Sequence, residues 1–310
     1  MVLNWDAGTV TRLMVISPRP FGQVLADAMN SLARTWKTLL LPAIAASVPV
    51  SVLTIVVFRL IGGTDLLNLV VNSPEQLTTM PRELFIELTR PFYWSMGAAT
   101  FMLVLGGVFI VLATHRAVAS DLNGVGLTGG QAARHAMSRY PAGLGAVLLV
   151  LVALAILLGL GFTIWLLPAI QVGTPNSTSV IVALVLLFIL IGPGVWAGVA
   201  MSMTTSAIVI EDFGAFSSIS RSMRLVRGRW WPTAGFLSIV GLLGGIAILL
   251  IQLVALPLAA SGGGSAALTI STGFGVLTQG LLMAAIAAMY THWYIDLRTR
   301  REALSTFDLC

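Results

Sequence analysis

Only 9% of the 310 residues are Asp, Glu, Lys or Arg, whereas 57% are hydrophobic, and the formal net charge is +5. Soluble domains carry about 25% charged residues, so this composition, with a mean hydropathy of +0.95, excludes an ordinary soluble domain and indicates a membrane protein. The lone cysteine, Cys310, excludes an internal disulfide and a metal site built from thiols.

The chain opens with a polar-to-amphipathic segment, residues 1–37, in which we expect no cleavable signal peptide, because the first apolar run starts only at Thr38 and is too long for one. Residues 20–36 predict an amphipathic helix that leads directly into this run. The residues that share its apolar face are Phe21, Leu25, Ala28, Leu32 and Trp36.

Six apolar stretches follow, and each is long enough to cross a bilayer, which takes about 20 residues as a helix. Helices are expected because they satisfy every backbone N–H and C=O without water. We therefore predict an all-α, polytopic membrane protein that forms one integral membrane domain over residues 1–310 and ends in a cytoplasmic tail, 294–310. The predicted spans, all free of Asp, Glu, Lys and Arg, are 38–58, 95–114, 142–168, 179–210, 233–260 and 268–293.

The connectors predict the orientation. With the N-terminus inside, 14 basic residues fall on the inner side, and only Arg59, Arg82 and Arg90 fall outside. This positive-inside bias places both termini in the cytoplasm. Of the 17 basic residues only Lys37 is lysine, which is typical of a GC-rich bacterial genome. We therefore expect a multi-pass protein of the bacterial cytoplasmic (inner) membrane.

The fourth predicted span is unusually long and contains Gly192, Pro193 and Gly194. Proline removes a backbone donor and clashes one turn back, so the triplet predicts a kink or break there. Broken helices form binding sites in some transporters, although proline kinks are also common in ordinary membrane helices.

Residues 216–230 concentrate arginines in an otherwise apolar chain. On a helix, Arg221, Arg224 and Arg227 lie opposite a stripe running from Phe216 to Trp230. This pattern predicts a helix at the membrane surface whose arginines reach anionic headgroups. Binding of nucleic acid is disfavoured, because no nucleic-acid-binding fold is recognisable and the soluble loops are short.

A weaker amphipathic segment, 127–141, precedes the third span. The three amphipathic segments, each on the cytoplasmic side and followed by two spans, are consistent with a three-fold internal repeat. The alternative is that any inner loop before a span tends to be basic and amphipathic. The residues that we predict to bind anionic lipid or an acidic partner are Arg34, Trp36, Lys37, Arg134, Arg139, Tyr140, Arg221, Arg224, Arg227, Arg229, Trp230 and Trp231.

Three stretches resemble a known family. Residues 210–216 and 220–230 (IEDFGAF and SRSMRLVRGRW), the opening PFGQVLADAMNSLARTWKTLL and the closing YIDLRTRREALSTFDL are similar to bacterial proteins of the glycerophosphoryl diester phosphodiesterase membrane-domain type. In that family the enzymatic activity belongs to a separate soluble barrel, whose His-Arg-Gly metal motif does not occur here: His115-Arg116 is followed by Ala117. The resemblance therefore implies a membrane fold without the catalytic domain.

Two other functions stay open. His292 and Asp296, four residues apart on one helical face, could hold a metal near Glu211 and Asp212 for lipid-headgroup hydrolysis. The alternative for these residues is an aromatic belt with Tyr290, Trp293 and Tyr294, together with ion pairs to nearby arginines. Transport of a neutral or lipidic substrate would use the few polar residues of the spans: Gln252, Gln279, Ser202, Thr204, Thr205 and Ser206.

The sequence thus favours a non-catalytic integral membrane protein, an envelope scaffold or lipid-associated partner subunit, that uses no cofactor and no metal. Its expected partners are membrane lipids, and a second membrane protein or another copy of the chain is a further candidate.

Overall fold

The computed structural model describes residues 19–62, 65–66, 69, 73–172, 181, 185, 192–262 and 264–302, and every regular element in these residues is a helix. Six segments are long and apolar enough to cross a membrane, which confirms the predicted all-α, polytopic class. We number the helices α1 (Phe21–Ile61), α2 (Pro74–Thr79), α3 (Arg82–Leu122), α4 (Gly129–Val172), α5 (192–201), α6 (Thr204–Ile210), α7 (Ala215–Val226), α8 (Trp230–Gly262) and α9 (Gly264–Glu302). The predicted tail beyond residue 302 lies outside the described residues.

The helices are longer than the predicted spans. At about 1.5 Å per residue, the 41 residues of α1 extend roughly 60 Å, twice the apolar thickness of a bilayer, about 30 Å. The predicted amphipathic segments 20–36 and 127–141 are continuous with the spans that follow them, because most of their residues form the first turns of α1 and α4. Neither glycine nor proline lies between Phe21 and Leu41 apart from Gly22, so nothing interrupts the backbone hydrogen bonds there.

Helix α7 is separate, as predicted, but its bounds and its buried face differ from the prediction. It ends at Val226 because Gly228 adopts φ +82°, which turns the chain before Trp230 begins α8. Its buried face runs through Ser218, Ser222 and Leu225, whereas Phe216, predicted on the apolar stripe, is exposed.

The predicted kink or break at Gly192-Pro193-Gly194 stays a prediction, because these residues begin the described α5 and the residues directly before them lie outside the described part of the chain. The chain leaves the helix at Ser202 and Met203, between α5 and α6. Ser222 of α7 bridges this gap: its hydroxyl donates to Ala200 O at 2.7 Å and accepts from Met203 N at 3.1 Å. A side chain inserted into the backbone ladder is a recognised cause of helix interruption.

Helix α1 packs mainly on α3 and α9, and α9 also contacts α3 and α8. An aromatic cluster joins the start of α1, α8 and the end of α9: Phe236 stacks on Trp293 at 4.6 Å, and Phe21 meets Phe236 edge-on at 5.8 Å. Trp293 and Tyr294 are 5% and 0% exposed, so they form core and not the predicted aromatic belt. The cluster holds α9 against α1 and α8 at the point where the charged last turns of α9 begin.

Candidate functional site

Ion pairs gather the arginine-bearing connectors at one end of the helices, which we call the basic end (residues 19–37, 115–140, 211–231 and 290–302). Several ion pairs and hydrogen bonds cross between its segments. Among them are Arg34–Asp121 at 2.8 Å, Arg139–Asp212 at 2.6 Å, Arg221–Glu302, and Arg19 N to Asp296 Oδ1 at 2.9 Å. The segments that the charge count assigned to one side of the membrane therefore lie together.

Glu211, directly after α6, is the centre of a mostly buried ion-pair network. Its carboxylate accepts two hydrogen bonds from Arg221, at 2.8 and 3.0 Å, one from Tyr294 Oη, and pairs with Arg298 at 3.0 Å. Glu302 pairs with both arginines. Burial of the Arg221 guanidinium opposes its charge, but the hydrogen bonds to Glu211 and Glu302 raise its pKa above the ordinary value. A carboxylate with this many donors is suited to joining α6, α7 and α9, not to accepting a substrate proton.

The second buried pair of interest is His292 with Asp296 on α9. Both are 0% exposed. Asp296 accepts from Arg19 N and from Arg300 Nε at 2.6 Å, and neither ring nitrogen of His292 has a hydrogen-bond partner among the described residues. Among all the residues that the structure describes, no group of three or more His, Cys, Asp or Glu side chains is placed to hold a metal. Arg19 and Arg300 therefore lie next to Asp296, as the alternative in which Asp296 pairs with nearby arginines requires.

Some of the predicted lipid-binding residues contact other residues of the protein, and the others lie exposed at its surface. Arg34, Arg139 and Arg221 form the ion pairs above, Tyr140 Oη donates to Leu105 O at 3.0 Å, and Trp230 Nε1 donates to Trp196 O at 3.3 Å. Arg229 is partly buried. The exposed residues are Trp36, Lys37, Arg134, Arg224, Arg227 and Trp231.

These six residues define what we call the exposed basic set. Arg134, Arg224 and Arg227 form no ion pair with any side chain that the structure describes, and Lys37 Nζ lies 5.6 Å from the centre of the Trp36 ring. Trp36 and Trp231 are 50% and 80% exposed. Tryptophan at a surface beside unpaired cations is typical of a membrane interface.

His115 of α3 is completely buried. Its Nδ1 lies 2.7 Å from Thr291 Oγ1, and its Nε2 lies 3.0 Å from Thr205 Oγ1. Thr291 already donates its only hydroxyl proton to Ala287 O, so it accepts from His115 Nδ1–H. Nε2 is then the acceptor for the Thr205 hydroxyl, and a neutral histidine links α3, α6 and α9.

A cavity of about 360 Å³, which we call the intramembrane cavity, lies beside Thr205. Its walls come mainly from α1, α3 and α9, and the lining includes Thr205 and Gln279, two polar residues that the sequence associated with a neutral or lipidic substrate. Ser47, which the sequence analysis missed, also lines it. Neither Gln252 nor Gly192, Pro193 and Gly194 lines this cavity.

The sequence singles out Ser47 only by its polarity within an apolar span. The cavity also depends on glycines at facing positions of two helices, α3 and α9. Gly106, Gly107 and Gly280 all border it. Because the chain contains 31 glycines, the sequence alone does not indicate which of them face each other across a cavity. Only the tertiary structure identifies them.

Comparison with known proteins gives one match. No curated protein and no solved structure matches the sequence, and nothing links it to glycerophosphoryl diester phosphodiesterase. A family model matches residues 22–297, which covers all six candidate spans and the basic end almost completely. The chain therefore belongs to the family described as domain of unknown function DUF7847.

Proposed function

We propose that this protein is a non-catalytic subunit of the bacterial inner membrane, a scaffold or lipid-associated partner, whose basic end faces the cytoplasm and binds anionic lipid headgroups. The observation that carries the proposal is the exposed basic set: four cationic side chains and two exposed tryptophans at one end of the helices. Cations near a negatively charged leaflet contribute about 1 kcal/mol each to binding, and tryptophan prefers the headgroup region.

Two further observations support this proposal. Arg34, Arg139 and Arg221 pair with carboxylates of the protein, so these ion pairs order the segments that present the exposed basic set. The carboxylates considered for catalysis, Glu211 and Asp296, each accept hydrogen bonds from arginine.

Transport receives less support in its original form, because Gly192, Pro193 and Gly194 do not line the intramembrane cavity. We therefore prefer the lipid-associated role.

The test compares lipid retained by the full-length protein after purification in mild detergent from membranes containing both anionic and zwitterionic lipids. The double variant Arg224→Gln/Arg227→Gln should lower the preference for anionic lipid by about 30-fold at low ionic strength, from about 1 kcal/mol per arginine. The matched control is Arg82→Gln/Arg90→Gln at the opposite end, which should retain the preference. Equal retention of anionic and zwitterionic lipid by the unmodified protein would overturn the proposal.

A further inference from the structure

The intramembrane cavity has the size and the composition of a small-molecule site. Its volume of about 360 Å³ lies within the range of ligand pockets, about 300–1,000 Å³. All the lining residues that the structure describes belong to predicted spans, and none of these is charged. A ligand would therefore reach it from the lipid phase and not from the cytoplasm.

The cavity contains one buried polar group without a partner. Ser47 is 3% exposed, and its hydroxyl has no hydrogen-bond partner among the described residues. Serines in membrane helices ordinarily donate to a backbone carbonyl one turn earlier, as Ser51 does to Ser47 O at 2.8 Å. A hydroxyl left without a partner in an apolar surrounding is unfavourable, so Ser47 is prepared to bond a ligand atom.

Thr100, Thr205 and Gln279 are the other polar residues among the described lining of the cavity. Thr100 donates its hydroxyl to Met96 O at 2.8 Å, whereas the other two have groups left to bond a ligand. Thr205 donates to His115 Nε2, which leaves its oxygen able to accept a hydrogen bond. The Gln279 amide offers both donors and an acceptor. Together with Ser47 they provide complementary partners for one hydroxyl or carbonyl group, whereas the rest of the lining is almost entirely aliphatic, with residues such as Val50, Val111 and Met283.

We propose that the intramembrane cavity binds an uncharged, single-chain amphiphile, with its hydroxyl or carbonyl group hydrogen-bonded to Ser47 and Gln279 and its alkyl or prenyl chain packed on the valines. A charged headgroup is excluded because the lining holds no counter-charge, and an unpaired ion in such a surrounding is strongly unfavourable. The volume, at the lower end of the range, suits one chain and not the two chains of a phospholipid. This proposal does not depend on anionic lipid at the basic end.

The test uses the full-length protein in lipid nanodiscs and a dodecanol that carries a photoreactive diazirine in its chain. Illumination followed by mass spectrometry should place the cross-links on peptides of α1, α3 and α9 that line the cavity. Unlabelled dodecanol should compete at least tenfold more effectively than dodecane or dodecyl sulfate. Cross-links spread evenly over the lipid-facing helices, or equal competition by dodecane, would overturn the proposal.

Two variants with matched controls make the test specific. A Cβ added at Gly107 meets only Met283, at 3.7 Å, so Gly107→Leu should fill the cavity and reduce cross-linking at least tenfold. The control is Gly97→Leu on the same helix, where a Cβ meets nothing within 4 Å. Ser47→Ala should remove the preference for dodecanol over dodecane, and Ser51→Ala should keep it.

Ser47→Ala decides the outcome if Gly107→Leu does not fold, because Ser47 has no hydrogen bond within the described structure to lose. An unchanged preference for dodecanol in Ser47→Ala overturns the proposal.

Discussion

Ser47 of α1 lies so close to Gly280 of α9 that a Cβ built on the glycine would overlap the serine hydroxyl, far inside the 3.0 Å that real Cβ contacts respect. The same added atom would lie 3.7 Å from Ser47 Cβ, which is ordinary contact. The hydroxyl oxygen is therefore the atom of α1 that most closely approaches Gly280, while Ile110 Cδ1 of α3 would lie 3.2 Å from the added Cβ. Small residues at such crossings let membrane helices pack closely.

Gly280→Ala should destabilise the protein by about 1–3 kcal/mol, the usual cost of overpacking. Ser47→Ala should remove most of this cost, since the overlapping atom is then absent, and the two substitutions should couple in a double-mutant cycle of unfolding in detergent. Gly275→Ala on the same helix, where a Cβ meets nothing within 4 Å, is the control and should be neutral or slightly stabilising. Additive effects at Ser47 and Gly280 would contradict this geometry.

The hydroxyl of Ser222 supplies the hydrogen bonds that the interrupted helix lacks between α5 and α6. Because Ser222 is completely buried, Ser222→Ala should leave Met203 N–H and Ala200 C=O without this partner and cost about 1–3 kcal/mol. Thermal unfolding in detergent measures the effect. Ser220→Ala, at an exposed position of the same helix, should change stability by less than about 0.5 kcal/mol. Equal stability of both variants would show that the bridge contributes nothing.

The fold class followed from the spans, but the helix interruption at Ser202 and Met203 did not. This interruption depends on Ser222, which lies 22 residues after the carbonyl that it caps. Similarly, Trp293 and Tyr294 have the composition of an interfacial belt, and only the positions of Phe21 and Phe236 make them core. The pairing of Glu211 with arginine could be anticipated, because Arg221 is ten residues away on the next helix.

Glu211→Gln should be the most destabilising single change at the basic end. It leaves Arg221 and Arg298 mostly buried beside a neutral amide, and breaking a buried ion pair costs about 3–5 kcal/mol. The adjacent Asp212→Asn is the control: its carboxylate is 60% exposed in its pair with Arg139, so the pair is worth at most about 1 kcal/mol. Asparagine also tolerates the φ of +57° at this position. Equal shifts of the unfolding midpoint in Glu211→Gln and Asp212→Asn would contradict the predicted difference in stability between them.

The charge asymmetry of the connectors predicts that the basic end faces the cytoplasm, since 14 of 17 basic residues belong to that side. In a chain made free of cysteine by Cys310→Ser, single cysteines report the two ends: Ser217→Cys at the exposed surface of α7 and Glu87→Cys at the exposed start of α3. A membrane-impermeant maleimide added to intact cells should label Glu87→Cys at once and Ser217→Cys only after permeabilisation, with the cysteine-free chain as background. Labelling of Ser217→Cys in intact cells would place the exposed arginines on the outer surface, where the proposed attraction to the cytoplasmic leaflet could not operate.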